Sequence, residues 1–214
     1  ARYDAEGADE LVFLDIAASL ENRSTREAWV RGVARELSIP FTVGGGVSHV
    51  QDARSLLRAG ADKVAVNTAA ALRPALVSEL ADAFGRQCVV AAVDVKRDAD
   101  LGWRVFLKGG TEPTERSALD WLHELSDLGA GEILLTSMDR DGTGDGFDLQ
   151  LLDLASQLPI PLIASGGAGR EIHFLEALEH GADAVLAATL FHEGILPIPR
   201  LKAYLAQNDL SVRI

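Results

Sequence analysis

An α/β barrel of the TIM (β/α)8 type, built from two half-barrel repeats, is the fold this 214-residue sequence predicts, on three observations. Short apolar runs alternate with helical patterns along the chain, which implies parallel strands joined by right-handed crossovers. A unit of thirty residues occurs twice: Ile39–Thr68 (IPFTVGGGVSHVQDARSLLRAGADKVAVNT) aligns without a gap on Ile160–Thr189 (IPLIASGGAGREIHFLEALEHGADAVLAAT), at an offset of 121 (160 minus 39), with ten identities. These fall at turns and strand ends, among them Gly45/Gly166, Gly46/Gly167, the Gly-Ala-Asp triplets at 60 and 181, and Thr68/Thr189. Each copy also runs strand, glycine turn, helix, an order that brings backbone N–H groups to an anion, usually phosphate. Two such cradles suggest a ligand with two phosphate ends.

The elements follow in order. Ala1–Gly7 reads as the tail of a helix, and Leu11–Leu14 as a strand with Asp15 at its C-terminal end. Thr25–Leu37 is a helix capped by Ser24 or Thr25. Phe41–Val43 is the strand before the first cradle, Gln51–Ala59 a helix, and Val64–Val66 a strand ending in Asn67-Thr68. Pro74–Phe84 is a helix with proline in its first turn. Cys88–Val93 is a strand with Asp94 at its C-terminal end. Lys96–Glu115 breaks the rhythm: Trp103–Leu107 alternates and Gly109-Gly110 signals a turn, so a small hairpin is inserted in a βα loop. Ser117–Leu128 is a helix and Ile133–Thr136 a strand, followed by the loop SMDRDGTGDGFD. Leu149–Gln157 (helix), Leu162–Ala164 (strand), Arg170–His180 (helix), Ala184–Ala188 (strand) and Pro199–Ala206 (helix) complete the chain.

Seven strands are visible besides the hairpin, and no linker divides the chain, so residues 1–214 are expected to form one domain. At an offset of 122 (129 minus 7), Gly129-Ala130 and Glu132 fall on Gly7-Ala8 and Glu10. The strand Cys88–Asp94 would then need a partner before Ala1. A complete two-fold barrel has eight strands, so the first βα unit is expected to be missing. The alternative is a seven-stranded open sheet, complete as given.

Composition excludes several classes. A net charge of −12 argues against nucleic acid, whose phosphates need Lys and Arg. The one cysteine, Cys88, reads as a buried small hydrophobe; it rules out a disulfide framework and fits a reducing cytosol. No apolar run approaches a membrane span and no signal peptide opens the chain, so a cytoplasmic protein is expected.

In a βα barrel the chemistry sits at strand C-termini. The residues there are Asp15, Asn67, Asp94, Thr136, Asp139, Asp141, Ser165 and Thr189. Asp94 follows CVVAAV, where partial desolvation would raise its pKa and suit it to general acid or base work; the alternative is a carboxylate capping the next loop. Asp139 and Asp141 could bind a metal, but such loop aspartates more often accept backbone N–H groups. The five histidines lack ligand spacing, and no metal or cofactor is expected. At the opposite end Glu10, Lys63 and Glu132 each precede a strand, and a barrel would gather them into a charged ring. That ring is either a gated opening, a docking surface, or simply solvated charge.

The segments ADELVFLDI, PFTVGGGV, GADKVAVNTAA, GAGEILLTSMDRDGT, IASGGAG, HFLEAL and VRI closely resemble the cyclase subunit family of imidazole glycerol phosphate synthase, over essentially the whole chain. The resemblance implies a (β/α)8 barrel and lyase of histidine biosynthesis. A glutaminase subunit docked on the N-terminal face of the barrel supplies ammonia. The ammonia converts a bisphosphate ribulosyl-formimino aminoimidazole carboxamide ribonucleotide into imidazole glycerol phosphate and aminoimidazole carboxamide ribonucleotide. By the same resemblance one phosphate site is Gly46, Asn67 and Thr68; the other is Gly142, Gly167, Ala188 and Thr189, with Asp141 near it. Asp94 matches an essential general acid/base, and Asp15, Thr136 and Asp139 match pocket residues, beside Ser165. Glu10, Lys63 and Glu132 match the ammonia gate, and Asp62 the glutaminase contact.

The family's other essential aspartate and a fourth gate residue, an arginine, lie on or beside its first strand. The expectation is therefore that these 214 residues alone do not run the full cyclisation, although their parent does. Two alternatives stand beside this reading: the sister phosphoribosyl-formimino isomerase of the same pathway, and a non-catalytic phosphate-binding barrel fragment.

Overall fold

A computed structural model describes residues 2–15 and 27–213. It opens with helix α1 (Arg2–Ala5), strand β1 (Leu11–Leu14), helix α2 (Glu27–Ala34) and strand β2 (Phe41–Gly44). Helix α3 (Val50–Ala59), strand β3 (Lys63–Val66), a short helix α4 (Thr68–Leu72) and helix α5 (Ala75–Phe84) follow. A 3-10 turn, Arg86–Cys88, leads into β4 (Val89–Asp98), the hairpin strands β5 (Gly102–Leu107) and β6 (Glu112–Ser117), and helix α6 (Ala118–Asp127). The remainder is β7 (Glu132–Ser137), α7 (Leu149–Ala155), β8 (Leu162–Ser165), α8 (Glu171–Glu179), β9 (Ala184–Leu186), α9 (Thr189–His192) and α10 (Ile198–Gln207).

Local chemistry sets these bounds. Helix α3 stops at Gly60, whose φ of 112° is left-handed and where a β-carbon would sit 2.6 Å from Ala34 Cβ. Two residues on, the Asp62 carboxylate accepts the Phe41 N–H at 2.8 Å, and the Asp62 N–H donates to the Phe41 carbonyl at 2.8 Å. This reciprocal pair pins the start of β3 beside β2. The second copy repeats it: Asp183 accepts the Leu162 N–H at 2.8 Å and donates to the Leu162 carbonyl at 2.9 Å. Ser117 and Asp148 cap α6 and α7 by accepting from the Asp120 and Leu151 N–H groups.

The seven parallel strands lie in the order β1-β2-β3-β4-β7-β8-β9, and the β5–β6 hairpin hangs antiparallel from β4. Side chains alternate between two faces. One set, including Phe41, Val43, Val64, Val66, Ala91, Val93, Ile133 and Leu135, joins helix residues such as Leu76, Leu80, Leu122 and Leu125 in the main core. Each large side chain buried there contributes about 1.5–3 kcal/mol. The other set forms a separate inner cluster of Ala65, Val90 and Leu134, with Val12, Ala92, Ile163 and Leu186 against it.

One side chain shows that the sheet curls. Lys63 Nζ, at the start of β3, lies 3.0 Å from the Glu10 carboxylate before β1 and 2.6 Å from that of Glu132 at the start of β7. Strands β2 and β4 intervene, so the three meet only across a shared interior. Among the described residues β1 pairs with β2 alone and β9 with β8 alone. The segment before β1 is tied to α10 and the C-terminal residues: the buried Lys202 Nζ donates to Asp9 at 2.7 Å and to the Arg213 carbonyl at 2.8 Å, and Arg213 Nε meets Asp9 at 3.0 Å.

Several bounds differ from the sequence reading. Strand β4 runs on to Asp98, so Asp94 lies within it; pairing with β5 from Asp94↔Phe106 to Asp98↔Gly102 extends the strand past the barrel rim. Cys88 is half-buried in the 3-10 turn before β4 rather than within the strand. Pro74 is the N-cap of α5, outside its first turn. Strand β9 ends at Leu186, and Ala188 is the N-cap of α9. The Ser24/Thr25 cap lies outside the described residues. Among the described residues no helix is long and apolar enough to cross a membrane.

Replacing Asp183 by Ala removes the carboxylate bond to Leu162 N–H, and we expect a loss of about 1 kcal/mol. Urea unfolding would show it as a lowered midpoint at constant slope; an unchanged midpoint would remove this contact from the account.

Candidate functional site

The C-terminal ends of the parallel strands carry a connected polar surface. The register sets Asp94 of β4 opposite Thr136 of β7, and Thr136 opposite Ser165 of β8, so the three form one row across the sheet. From β3's end, Asn67 Nδ2 donates to Asp94 Oδ2 at 2.9 Å. Burial raises the Asp94 pKa above the ordinary carboxylate value; the Asn67 hydrogen bond opposes this, and the negative charge of Asp141 adds to it. Asp94 is thus a carboxylate inclined to hold a proton, with an oxygen fixed by an amide.

Its neighbours are held by the inserted hairpin. The Lys108 N–H, at the hairpin turn, donates to Thr68 Oγ1 at 2.9 Å. The Arg97 N–H donates to Asp139 Oδ2 at 2.6 Å, which fastens the β7–α7 loop to β4. The Asp139 carboxylate therefore has the commoner role of a loop aspartate, acceptance of a backbone N–H. Asp148 ties the hairpin down: its Oδ2 accepts from Trp103 Nε1 at 3.0 Å and from Ser137 Oγ at 3.3 Å. Neither Lys108 nor Asp148 was singled out from sequence. Asp148 was traceable as a helix cap before LQLLDL, whereas a backbone donor such as Lys108 leaves no trace in residue type.

The two glycine turns leave β2 and β8 at this same end, with β3, β4 and β7 between them. Gly45 abuts Asp15, which is buried; a β-carbon on Gly45 would stand 2.3 Å from the Asp15 carbonyl oxygen. Gly46 lines a small recess with Glu27, Asp52 and Ser55. The second turn is locked to the β7–α7 loop through main chain. Gly146 N–H donates to the Gly167 carbonyl at 2.8 Å, and a β-carbon on Gly167 would meet the Gly146 carbonyl oxygen at 2.1 Å. Gly142 has left-handed backbone (φ 75°) in that loop. Ala188 and Thr189 begin α9, as Asn67 and Thr68 begin α4.

At the opposite end burial works against the Lys63 charge, but Glu132 and Glu10 outweigh it and raise its pKa above the ordinary lysine value. Glu10, Lys63 and Glu132 thus gather into one cluster, 3.0 and 2.6 Å from the ammonium. Asp62 sits at the same end with its carboxylate on Phe41 N–H.

A curled parallel sheet, a carboxylate of raised pKa at its C-terminal rim and paired glycine turns define an α/β protein of TIM type. Residues 1–197 match the family described as histidine biosynthesis protein. Among curated relatives, the imidazole glycerol phosphate synthase subunit HisF of Geobacillus kaustophilus is 54% identical over 214 residues, spanning 99% of this chain and 85% of that protein. HisF of Gluconacetobacter diazotrophicus is 54% identical over 214 residues, spanning 100% of this chain and 83% of that protein. HisF of Lachnoclostridium phytofermentans is 53% identical over 217 residues. The chain belongs to the HisF family of imidazole glycerol phosphate synthase subunits.

The raised pKa of Asp94 fixes the sign of a stability effect. Its folded pKa lies above the unfolded one, so its contribution is complete below about pH 4 and is lost as pH rises through the folded value. Asp94→Asn keeps an oxygen for Asn67 and removes the charge. We expect this variant to melt higher than the parent at pH 7, with the gap closing toward about pH 4. A variant less stable than the parent at pH 7 would contradict the assignment.

Proposed function

We propose that this chain is the cyclase of imidazole glycerol phosphate synthase, acting on the bisphosphate ribulosyl-formimino aminoimidazole carboxamide ribonucleotide with ammonia from a glutaminase partner. The products are imidazole glycerol phosphate and aminoimidazole carboxamide ribonucleotide. Family membership supports the reaction. The observation that carries the chemistry is the half-buried Asp94, bonded to Asn67 and in one row with Thr136 and Ser165 on strands between the two glycine turns.

Ammonia condenses with the ribulosyl carbonyl: a C–N bond forms, the carbonyl oxygen leaves as water and the new nitrogen loses protons. The same nitrogen then bonds the formimino carbon, and the C–N bond from that carbon to the aminoimidazole portion breaks, the departing nitrogen taking the electron pair and a proton. A carboxyl whose pKa is raised by burial can deliver one proton and receive the next, and we assign both to Asp94. Asn67 orients it. On this reading one phosphate end lies on Gly46, Asn67 and Thr68. The other lies on Gly142, Gly167, Ala188 and Thr189, near Asp141. Asp15, Thr136, Asp139 and Ser165 shape the pocket between, Asp139 through its loop contact with Arg97.

The ammonia route runs through the interior lined by Ala65, Val90 and Leu134, from the Glu10–Lys63–Glu132 cluster to Asp94. The glutaminase docks on the charged face, with Asp62 at the contact. One further parallel strand between β1 and β9 would close the cylinder at eight, as the half-barrel repeat requires; the single barrel so formed is one domain.

Two measurements on the whole protein test this. With an ammonium salt as nitrogen source, Asp94→Asn should lower turnover by roughly 10²–10⁴-fold with little change in KM; near-parental turnover would refute the acid/base role. Lys63→Ala leaves Glu10 and Glu132 facing one another. Glutamine-driven turnover should then fall relative to ammonium-driven turnover, and an unchanged ratio would remove the cluster from the ammonia route.

A further inference from the structure

The two glycine turns share a fold and differ in charge. The last residue of each turn is tied by the same device: a side chain three residues into the next helix reaches back to its N–H. In the first copy Asp52 of α3 does this, accepting from Ser48 N–H at 2.9 Å and also from His49 N–H at 2.9 Å. In the second copy the equivalent residue (52 plus 121) is His173 of α8, whose Nδ1 accepts from Gly169 N–H at 3.1 Å. His173 is 4% exposed, and its ring lies against Gly146 of the neighbouring loop. One turn is therefore secured by a carboxylate and its twin by an imidazole.

The surroundings widen the difference. Among the described residues, Asp52 and Glu27 line the recess at Gly45 and Gly46, and Asp15 abuts Gly45. At the second turn Arg140 lies against Gly167, Asp141 lies against Gly166, and Arg170 Nη2 is 3.4 Å from His173 Nε2. Phosphate is a dianion near neutral pH, so a fixed charge several ångströms away changes its affinity by roughly tenfold.

Resting on the two-phosphate reading above, we infer that the substrate's ends are held unequally. The Gly166–Gly169 turn is the tight anchor and the Gly45–Ser48 turn the weak one, with Asp52 and His173 as the positioning residues that set the difference. Each product keeps one phosphate, so the product seated on the Gly46 turn departs first. The weak end is also the one that adjusts while the chain between the phosphates closes into a ring.

Inorganic phosphate, titrated into the whole protein at fixed ionic strength, tests this through the backbone amide signals of Gly46 and Gly167. The expected result is saturation at Gly167 at roughly tenfold lower phosphate than at Gly46. Asp52→Asn, which keeps an oxygen for the Ser48 N–H, should tighten binding at Gly46 and leave Gly167 unchanged. His173→Asp should weaken binding at Gly167. Equal affinities in the parent, or an Asp52→Asn variant with unaltered affinity at Gly46, overturn the inference and leave the two-phosphate reading standing. Phosphate perturbing neither amide overturns both. Should His173→Asp fail to fold, Asp52→Asn decides alone.

Discussion

The two-residue period of a strand in a curled parallel sheet is the constraint on which the rest of this molecule depends. Strand β3 sends Lys63, Ala65 and, just past its end, Asn67 to the interior, while Val64 and Val66 face the helices. Strand β7 does the same with Glu132, Leu134 and Thr136, and β4 with Val90, Ala92 and Asp94. The interior is therefore charged at one end, small and apolar in the middle, and polar at the other. Insertion of one residue into any of these strands would turn the inward set outward and dismantle both ends together. Packing and chemistry are separated by parity rather than by region.

Precision at the rim comes from backbone meeting backbone. The Gly167 turn and the Gly146 loop approach so closely that no side chain fits between them, and a main-chain hydrogen bond closes the seam. Such a contact freezes no side-chain rotamers, and the backbone entropy lost in ordering the glycines is offset by the close packing and the hydrogen bond they allow. The hairpin supplies the same rigidity on the β4 side. It is anchored by Trp103 on Asp148 and by Arg97, whose guanidinium stacks 4.2 Å from the Trp103 ring centroid. Asp94 is thus set between two rigid walls, and the fold tolerates its costly burial.

Much of this was legible in the sequence, and the remainder was hidden for specific reasons. Strand β1 is found at Leu11–Leu14 as read, and the predicted gathering of Glu10, Lys63 and Glu132 is present. Apolar runs and strand-start charges are written in residue type. Helices α4 and α9 were missed because four or five residues carry no helical period. The overrun of β4 was missed because it depends on a partner strand, β5, that stabilises it from outside the barrel. His173 was passed over because histidines were sought by metal-ligand spacing, whereas its partner is a main-chain N–H four residues earlier.

The internal duplication serves as a control for which residues are architectural. Asp62 and Asp183 are identical and make the same strand-start bonds, so the shared carboxylate belongs to the fold. Where the copies diverge, the fold has made no demand and another requirement has acted. Lys63 faces Ala184 across the repeat, Asn67 faces Ala188, and Asp52 faces His173. The first two pairs put an ammonium in the lower cluster and an amide on Asp94 in one half only. A symmetrical barrel acting on a substrate whose ends leave as different products needs such differences, because identical halves could not tell one end from the other. The differences at positions 52, 63 and 67 touch the interior or a glycine turn, while the strand-start bonds of Asp62 and Asp183 stay the same.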